Sequence, residues 1–185
     1  VFQPPEAGGK LISIKDHDGN GLTITRDGND RVGTVTDASG RIYIFTYDGN
    51  GRLYRVTDFT GRYVEYTWEE YSSPQSVQLK TVRDVRGNLT TFNYTKAHSE
   101  LAVGPPPDQL LLTSVVDPRQ NTIRVFTYTD QVYGFWGAAS VTDGESHTWA
   151  FSYCAKHVDG SCTHDPTAAI GLETTVDPPL GANTI

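Results

Sequence analysis

The sequence predicts an all-β protein: tandem antiparallel β-hairpins stacked into a curved sheet or partial β-spiral. Three observations predict this fold class. An Asp-x-x-Gly unit recurs along the chain, aromatic residues follow it at fixed distances, and side chains alternate in character between the units. Asp and Gly at this spacing are typical of tight turns, because Asp accepts hydrogen bonds from nearby amides and Gly tolerates a positive φ. Alternation with a period of two is typical of strands.

Three copies of the unit are especially clear. In each copy a Gly follows the Asp by three positions, and two aromatic residues lie five and seven positions after that Gly. The copies are Asp37, Gly40, Phe45 and Tyr47; Asp58, Gly61, Tyr66 and Trp68; and Asp84, Gly87, Phe92 and Tyr94. We interpret each copy as strand, turn and strand. A single hairpin is marginally stable in water, so neighbouring copies are expected to stabilise one another.

Weaker copies extend the array in both directions. They begin at Asp16, at Asp117, at Asp143 and, as an incomplete copy, at Asp177. The aromatic positions of the first three hold Ile24 and Arg26, then Phe126 and Tyr128, then Phe151 and Tyr153. The predicted organisation is therefore an N-terminal linker or edge segment over 1–10, an array of about six hairpins over 11–181, and a tail or incomplete repeat over 182–185.

Composition argues against several classes of function. The formal net charge is −7, and an acidic chain repels nucleic acids and anionic membrane surfaces. No apolar stretch approaches the roughly 20 residues of a membrane helix. The sequence also contains no nucleophile motif and no phosphate-binding glycine loop. We therefore expect no nucleic-acid partner, no membrane insertion, no cofactor and no enzymatic activity.

The stretch from Gly40 to Leu53 resembles the YD repeat of the RHS family. That family pattern is Gly-Arg, a few residues, Tyr-x-Tyr-Asp, two residues and Gly-Arg-Leu. In this chain Phe45 occupies the first Tyr position, and the residues that match the rest of the second half are Tyr47, Asp48, Gly51, Arg52 and Leu53. The chain is thus similar to Rhs and Tc toxin shell proteins, wall-associated proteins and teneurins, whose YD repeats wind into a hollow β-sheet spiral.

This resemblance implies a structural segment of a secreted or cell-surface protein that forms a shell, a scaffold or a filament wall. The expected location is extracellular or at the cell surface. The expected partners are other copies of the chain, or the remaining repeats of a parent protein, joined through strand edges. A different interpretation is an adhesion module that binds glycans or proteins through the loop residues Tyr133, Phe135 and Trp136, whose aromatic faces can pack against sugar rings.

Two cysteines, Cys154 and Cys162, lie eight positions apart. An even count at short spacing predicts a disulfide, which would indicate an oxidising compartment. A zinc site that also uses His157 and His164 is an alternative, but its ligand spacing is unlike that of the common zinc fingers. Free thiols are the third alternative.

Two further motifs have an ordinary explanation as turns. Asp177-Pro-Pro-Leu-Gly181 resembles, with one inserted residue, the segment at which RHS toxin shells cut themselves, which gives self-cleavage as a weaker alternative function. Asp16, Asp27 and Asp48 each begin a stretch that resembles the start of a calcium loop. Since all of these stretches lie where hairpin turns are expected, we predict no metal site.

Overall fold

The computed structural model describes residues 1–4, 6, 8–72, 75–97, 109–130, 136–163 and 171–179. Fourteen β-strands account for most of these ranges. Within them no helix is long and apolar enough to cross a membrane. The strands are β1 (Ser13–Lys15), β2 (Gly21–Arg26), β3 (Val32–Thr36), β4 (Ile42–Tyr47), β5 (Leu53–Thr57), β6 (Tyr63–Ser72), β7 (Gln75–Arg83), β8 (Leu89–Ala97), β9 (Gln109–Val116), β10 (Thr122–Asp130), β11 (Trp136–Asp143), β12 (Thr148–Lys156), β13 (Cys162–Thr163) and β14 (Gly171–Asp177).

Two parts of the predicted fold are confirmed: the chain is all-β, and it is built from tandem antiparallel hairpins. Strands of this length are favoured by the alternating sequence pattern, and short turns between consecutive strands force an antiparallel order. The chain divides into two compact units. The first comprises Val1–Thr67 and Val82–Leu89, and the second comprises Trp68–Thr81 and Thr90–Ile185.

In the first unit the strands from β1 to the start of β6 pair in chain order. The edge next to β1 is covered by the N-terminal residues of the chain. Phe2 forms a bridge with Leu11, and the Val1 carbonyl accepts hydrogen bonds from the amides of Ile12 and Ser13 at 3.0 and 3.2 Å. These contacts satisfy backbone groups that an open edge would leave unpaired.

In the second unit the strands from β8 to β12 also follow chain order, and the pattern changes at β12. Ala150 pairs with both β11 and β14, and Ala155 pairs with both β13 and β14. Because a strand has two edges, β11 and β13 share one edge of β12 while β14 occupies the other. The last copy therefore departs from the simple hairpin order of the earlier ones.

Few side chains are fully buried. Among the aliphatic and aromatic residues in the described ranges, only Ala155 is buried, with 2% of its surface exposed. On β4 the aromatic residues Tyr43, Phe45 and Tyr47 are half-buried, whereas the alternate residues Ile42, Ile44 and Thr46 are exposed. Each strand thus packs mainly against its neighbours on the same face, so stability in this fold depends on contacts between adjacent hairpins.

Candidate functional site

The recurring feature of the chain is one turn geometry. Within the described ranges eight turns beginning with Asp share it, and at Asp37 the aspartate amide donates to the Arg41 carbonyl (3.0 Å) while the Gly40 amide donates to the Asp37 carbonyl (2.9 Å). The fourth residue of each turn has a positive φ and is usually Gly, but Asp30, Gln120 and Ser146 adopt the same conformation, at 62°, 66° and 70°. This is a three-residue hairpin loop that ends in a left-handed residue. The turns begin at Asp16, Asp27, Asp37, Asp48, Asp58, Asp84, Asp117 and Asp143.

The aspartate side chain holds each turn together. At Asp48, Oδ1 accepts hydrogen bonds from the amides of Asn50 and Arg52, both at 2.9 Å, and Oδ2 accepts one from the Arg52 side chain at 2.7 Å. The other seven turns all repeat this pattern, and in each of them the residue four positions after the Asp supplies the side-chain donor. Those donors are Asn20, Arg31, Arg41, Arg52, Arg62, Asn88, Asn121 and His147.

These hydrogen bonds favour the charged form of the aspartates. The Thr60 hydroxyl, together with the Arg62 side chain and both backbone amides, lowers the pKa of Asp58 to about 2, although burial opposes the shift. The Arg31 side chain is the main cause of the lowered pKa of Asp27. At Asp143 burial raises the pKa, but hydrogen bonds from His147 and Glu145 outweigh it and the net shift is downward.

The carboxylates of the calcium-like stretches are occupied by their own turns. Both oxygens of Asp16, Asp27 and Asp48 accept hydrogen bonds from residues two and four positions later. A calcium ion needs several free oxygen ligands. In the part of the chain that is described, no group of three or more His, Cys, Asp or Glu side chains could hold a metal ion.

Two of the arginines at the end of a turn, Arg31 and Arg41, also contact the next turn at the same end of their unit. Antiparallel strands place alternate turns at the same end, so the turn at Asp27 neighbours the turn at Asp48. The Arg31 guanidinium lies over the Tyr47 ring, 4.1 Å from its centroid. Its Nη1 also lies only 3.2 Å from the point where a Cβ on Gly51 would be. Arg31 therefore links two turns by ion pairing in one and cation–π stacking in the other.

The turns at the opposite end show a similar link. The Arg41 guanidinium lies 5.3 Å from the centroid of the Phe59 ring. Tyr43 meets the same Phe59 ring edge to face, with the two centroids 6.4 Å apart. Phe59 belongs to the turn at Asp58, so it joins that turn to the preceding turn at this end.

In three hairpins the tyrosine of the repeat forms a hydrogen bond across the two strands. The Tyr47 hydroxyl donates to the Val32 carbonyl at 2.9 Å. The equivalent bonds run from Tyr94 to Leu79 at 2.9 Å and from Tyr128 to Leu112 at 2.7 Å. In all three hairpins the acceptor lies five residues before the turn aspartate. Burial raises the pKa of Tyr94 and of Tyr128, consistent with hydroxyls held inside the hairpin.

A β-bulge accompanies this tyrosine. The register shifts immediately before Tyr47, Tyr94 and Tyr128, where the partner strand carries one extra residue. The same shift occurs before Arg26, which occupies the tyrosine position of the first copy. Bulges bend a strand and increase its twist. The bulge is thus part of the repeat even where the aromatic residue is absent.

Replacing Tyr47 by Phe is expected to lower the free energy of unfolding by about 1 kcal/mol, because the Val32 carbonyl loses its hydrogen bond. The matched control is Tyr43→Phe on the same strand, since the Tyr43 hydroxyl has no hydrogen-bond partner among the described residues. Urea denaturation of both variants measures the difference. An equal loss of unfolding free energy in the two variants would show that the hydrogen bond from Tyr47 to Val32 does not stabilise the hairpin.

The remaining residues predicted from sequence lie in several places. Cys154 is on β12, and the backbone of Cys162 on β13 pairs with Lys156. Asp177 ends β14 opposite Ala150 and lines, with His147 and Pro179, a cavity of about 330 Å³. Tyr133 and Phe135 lie outside the described residues, and so do the side chains of Trp136 and Cys162. Phe92, Phe126, Phe151 and Tyr153 are half-buried on their strands.

The sequence pattern predicts hairpin turns at Asp27 and Asp48, but it does not predict the side-chain donor at the fifth position of each turn. The available signal was the Gly-Arg dipeptide, which occurs at 40–41, 51–52 and 61–62.

The comparison with known families agrees with this repeat geometry. The model of the RHS Repeat family matches residues 26–63. This segment of the chain is an RHS repeat. It contains the four consecutive turns whose fifth residue is Arg, at Asp27, Asp37, Asp48 and Asp58. Beyond it the same turn continues with Asn or His as the donor. No curated protein matches the chain.

Proposed function

We propose that this RHS-repeat chain is a structural segment of a secreted or cell-surface protein, in which its hairpins form part of a shell, a scaffold or a filament wall. The observation that carries the proposal is the link between two neighbouring turns at the same end of the first unit, through Arg31, Tyr47 and Gly51. A unit that is stabilised by its neighbours can be extended by adding further units, which is the property that a wall requires.

The proposed partners are other copies of the chain, or further repeats of a parent protein, joined at strand edges. β14 supports this proposal: one of its edges pairs with β12, and the described residues supply no partner for the other. Its side chains from Glu173 to Asp177 are exposed, and Val176 is 51% exposed. An edge strand of seven residues without Pro or Lys offers a template for strand addition.

Electron microscopy and light scattering of the purified chain test this role. The expected result is assembled particles whose formation weakens in Val176→Lys, because a lysine on an edge strand disfavours pairing. The control is Val125→Lys on the internal strand β10, where the exposure of 40% is comparable. Monomers at all concentrations, or equal assembly in both variants, would contradict assembly through this edge.

A disulfide between Cys154 and Cys162 belongs to the same proposal, since secreted proteins keep disulfides. The backbone of Cys162 pairs with Lys156, two residues after Cys154 on β12, so the two cysteines occupy diagonal register positions of the β12–β13 pair. We predict that both thiols resist alkylation until a reductant is added. Cys154→Ser is then expected to cost about 2–3 kcal/mol of stability in oxidising buffer and nothing in reducing buffer. Rapid alkylation of the untreated protein would rule the bond out.

A binding role is the second candidate function. An open cavity of about 460 Å³ lies at β8, β9 and β10 and is lined by, among others, Lys96, Thr113, Phe126 and Tyr128. Hydroxyl, ammonium and aromatic groups together suit a carbohydrate. In the sequence Tyr133, Phe135 and Trp136 follow β10 closely. Glycan-array binding that is lost in Trp136→Ala would support this role, and absence of binding to any glycan would oppose it.

A further inference from the structure

The first copy of the repeat has Arg26 at the position where later copies have the tyrosine that bonds across the hairpin. Nη2 of Arg26 donates a hydrogen bond to the Leu11 carbonyl at 3.2 Å. Leu11 lies five residues before the turn aspartate Asp16, and the tyrosine hydroxyls bind the carbonyl at this same position in three later hairpins. Arg26 therefore makes the cross-strand bond of the repeat with a guanidinium instead of a hydroxyl.

Backbone pairing in these hairpins ends close to the turn, so a further contact is needed to hold the two strands together. β1 and β2 form three residue pairs, the last of them at Ser13. β3 and β4, and likewise β9 and β10, also form three pairs. Beyond Ser13 the chain stays joined to β2 through the bond from the Ile24 amide to the Ile12 carbonyl, at 2.8 Å, and through the side chain of Arg26.

Residues 1–4 and 8–12 form a short antiparallel pair that runs into β1, and we call this pair the edge strap. Within the strap the Gln3 amide donates to the Lys10 carbonyl at 2.7 Å. The Lys10 side chain also forms an ion pair with Asp30, in the turn that follows β2. The strap is therefore attached to the first hairpin by side chains as well as by its own backbone.

Arg26 connects the edge strap to that same turn. Its Nη1 donates to the Asp30 carbonyl at 3.2 Å, while its Nη2 binds Leu11 of the strap. Only 20% of the Arg26 side chain is exposed, and its Nε is buried without a hydrogen bond, with Oδ1 of Asp30 3.8 Å away. Burying a charged group costs free energy unless the group is fully paired. Arg26 therefore stabilises the strap through its two hydrogen bonds, and a neutral tyrosine is expected to replace the bond to Leu11.

We infer that Arg26 is the clasp of the edge strap: it takes the role of the repeat tyrosine in the first copy and keeps the strap closed over this edge of the first unit. A covered edge has few unpaired backbone groups, and Pro4 in the strap has no amide hydrogen to offer a further strand. The consequence for assembly rests on the proposed joining of copies at strand edges. Under that proposal, additional strands pair with β14 and not with the edge that the strap covers.

Hydrogen–deuterium exchange of the full chain tests the clasp. Arg26→Met keeps a long apolar side chain but removes both donors. In this variant we expect the Gln3 and Ile12 amides to exchange at least about tenfold faster, while exchange at the Asp58 amide is unchanged. Arg26→Tyr is expected to exchange like the wild type, because the phenol can donate to the same carbonyl. The matched control is Arg124→Met, at an exposed arginine on β10 in the second unit, which leaves exchange in the strap as it is.

Three results would overturn the clasp. Unchanged exchange in Arg26→Met would show that the strap is held without this side chain. Faster exchange at Asp58 as well would mean that Arg26 supports the whole first unit and not the strap in particular. Fast exchange in Arg26→Tyr would show that the charge of the arginine, and not the bond made at the tyrosine position, holds the strap.

Light scattering tests the closed edge separately. Arg26→Met combined with Val176→Lys is expected to assemble more readily than Val176→Lys alone, because release of the strap exposes a second edge. Equal assembly of the two variants would contradict closure of this edge by the strap. The exchange experiment needs no assembly, so a chain that stays monomeric would count against the proposed structural role and not against the clasp.

Discussion

Acidification is expected to unfold the hairpin array cooperatively as the pH falls from about 4 to about 2. Seven turn aspartates have a pKa below the ordinary value of 3.8, and that of Asp58 is about 2. A carboxyl group whose pKa is lower in the folded state binds its proton more readily when unfolded. The stability it contributes is therefore complete above about pH 5 and is lost as the pH falls through the folded-state pKa. The seven residues are Asp27, Asp37, Asp48, Asp58, Asp84, Asp117 and Asp143.

The loss of stability at low pH is expected to be large because the same aspartate turn occurs many times along the chain. Each turn uses one carboxylate to hold two amides and one side chain, so a protonated aspartate weakens all three bonds at once. Because neighbouring turns contact each other through arginines such as Arg31 and Arg41, the loss of one turn also removes support from the next. Urea denaturation at pH 7, 4, 3 and 2, followed by circular dichroism, measures the loss.

A single substitution provides the control for the acid effect. Asp58→Asn keeps the shape of the side chain but cannot titrate, so the variant is less stable than the wild type at pH 7 and its stability falls less as the pH decreases. If the wild type were as stable at pH 2.5 as at pH 6, the aspartate turns would not be what holds the array together.

The local features of this fold could be predicted from sequence because they depend on residues that lie close together in the chain. The turn at Asp58 needs only the next four residues, and the strand that follows is visible as alternation. The Arg31–Tyr47 contact could not be predicted in this way, since it joins residues 16 positions apart and depends on the register of two hairpins. The same holds for the bulge before Tyr47, which is visible only as a mismatch between paired strands.

The position of β14 shows a second limit of sequence reasoning. The sequence predicts an incomplete copy that begins at Asp177, which is the last residue of β14. The pairing it did not predict is that β13 and β14 lie on opposite edges of β12. The turn from His157 to Ser161 makes the same backbone hydrogen bonds as the others but begins with His in place of Asp. The Asp-x-x-Gly pattern does not predict this turn, because the turn has the same backbone hydrogen bonds but has His157 where the pattern requires Asp.

The second large effect concerns Gly51, where substitution by Ala is expected to cost more than the same change at Gly40. Both glycines have a positive φ, 81° and 77°. An L residue in that conformation costs about 1–2 kcal/mol. At Gly40 a Cβ meets nothing within 4 Å, but at Gly51 it would lie 3.2 Å from Nη1 of Arg31. The methyl group would push the guanidinium a few tenths of an ångström from its position over the Tyr47 ring and weaken the stacking. The value of an exposed cation–π contact, about 0.5–1 kcal/mol, is the upper limit of this further cost.

A double-mutant cycle separates this coupling from backbone strain. In an Arg31→Ala background the guanidinium is absent, so Gly51→Ala should cost only as much as Gly40→Ala does, because only the cost of the positive φ remains. Urea denaturation of the four proteins in the cycle gives the interaction energy directly. A coupling near zero would mean that the turns at Asp27 and Asp48 do not stabilise each other through this contact. A clear coupling would show that Gly51 leaves the space that the Arg31 guanidinium fills, an arrangement that the turn at Asp58 does not share, since a Cβ on Gly61 would meet nothing within 4 Å.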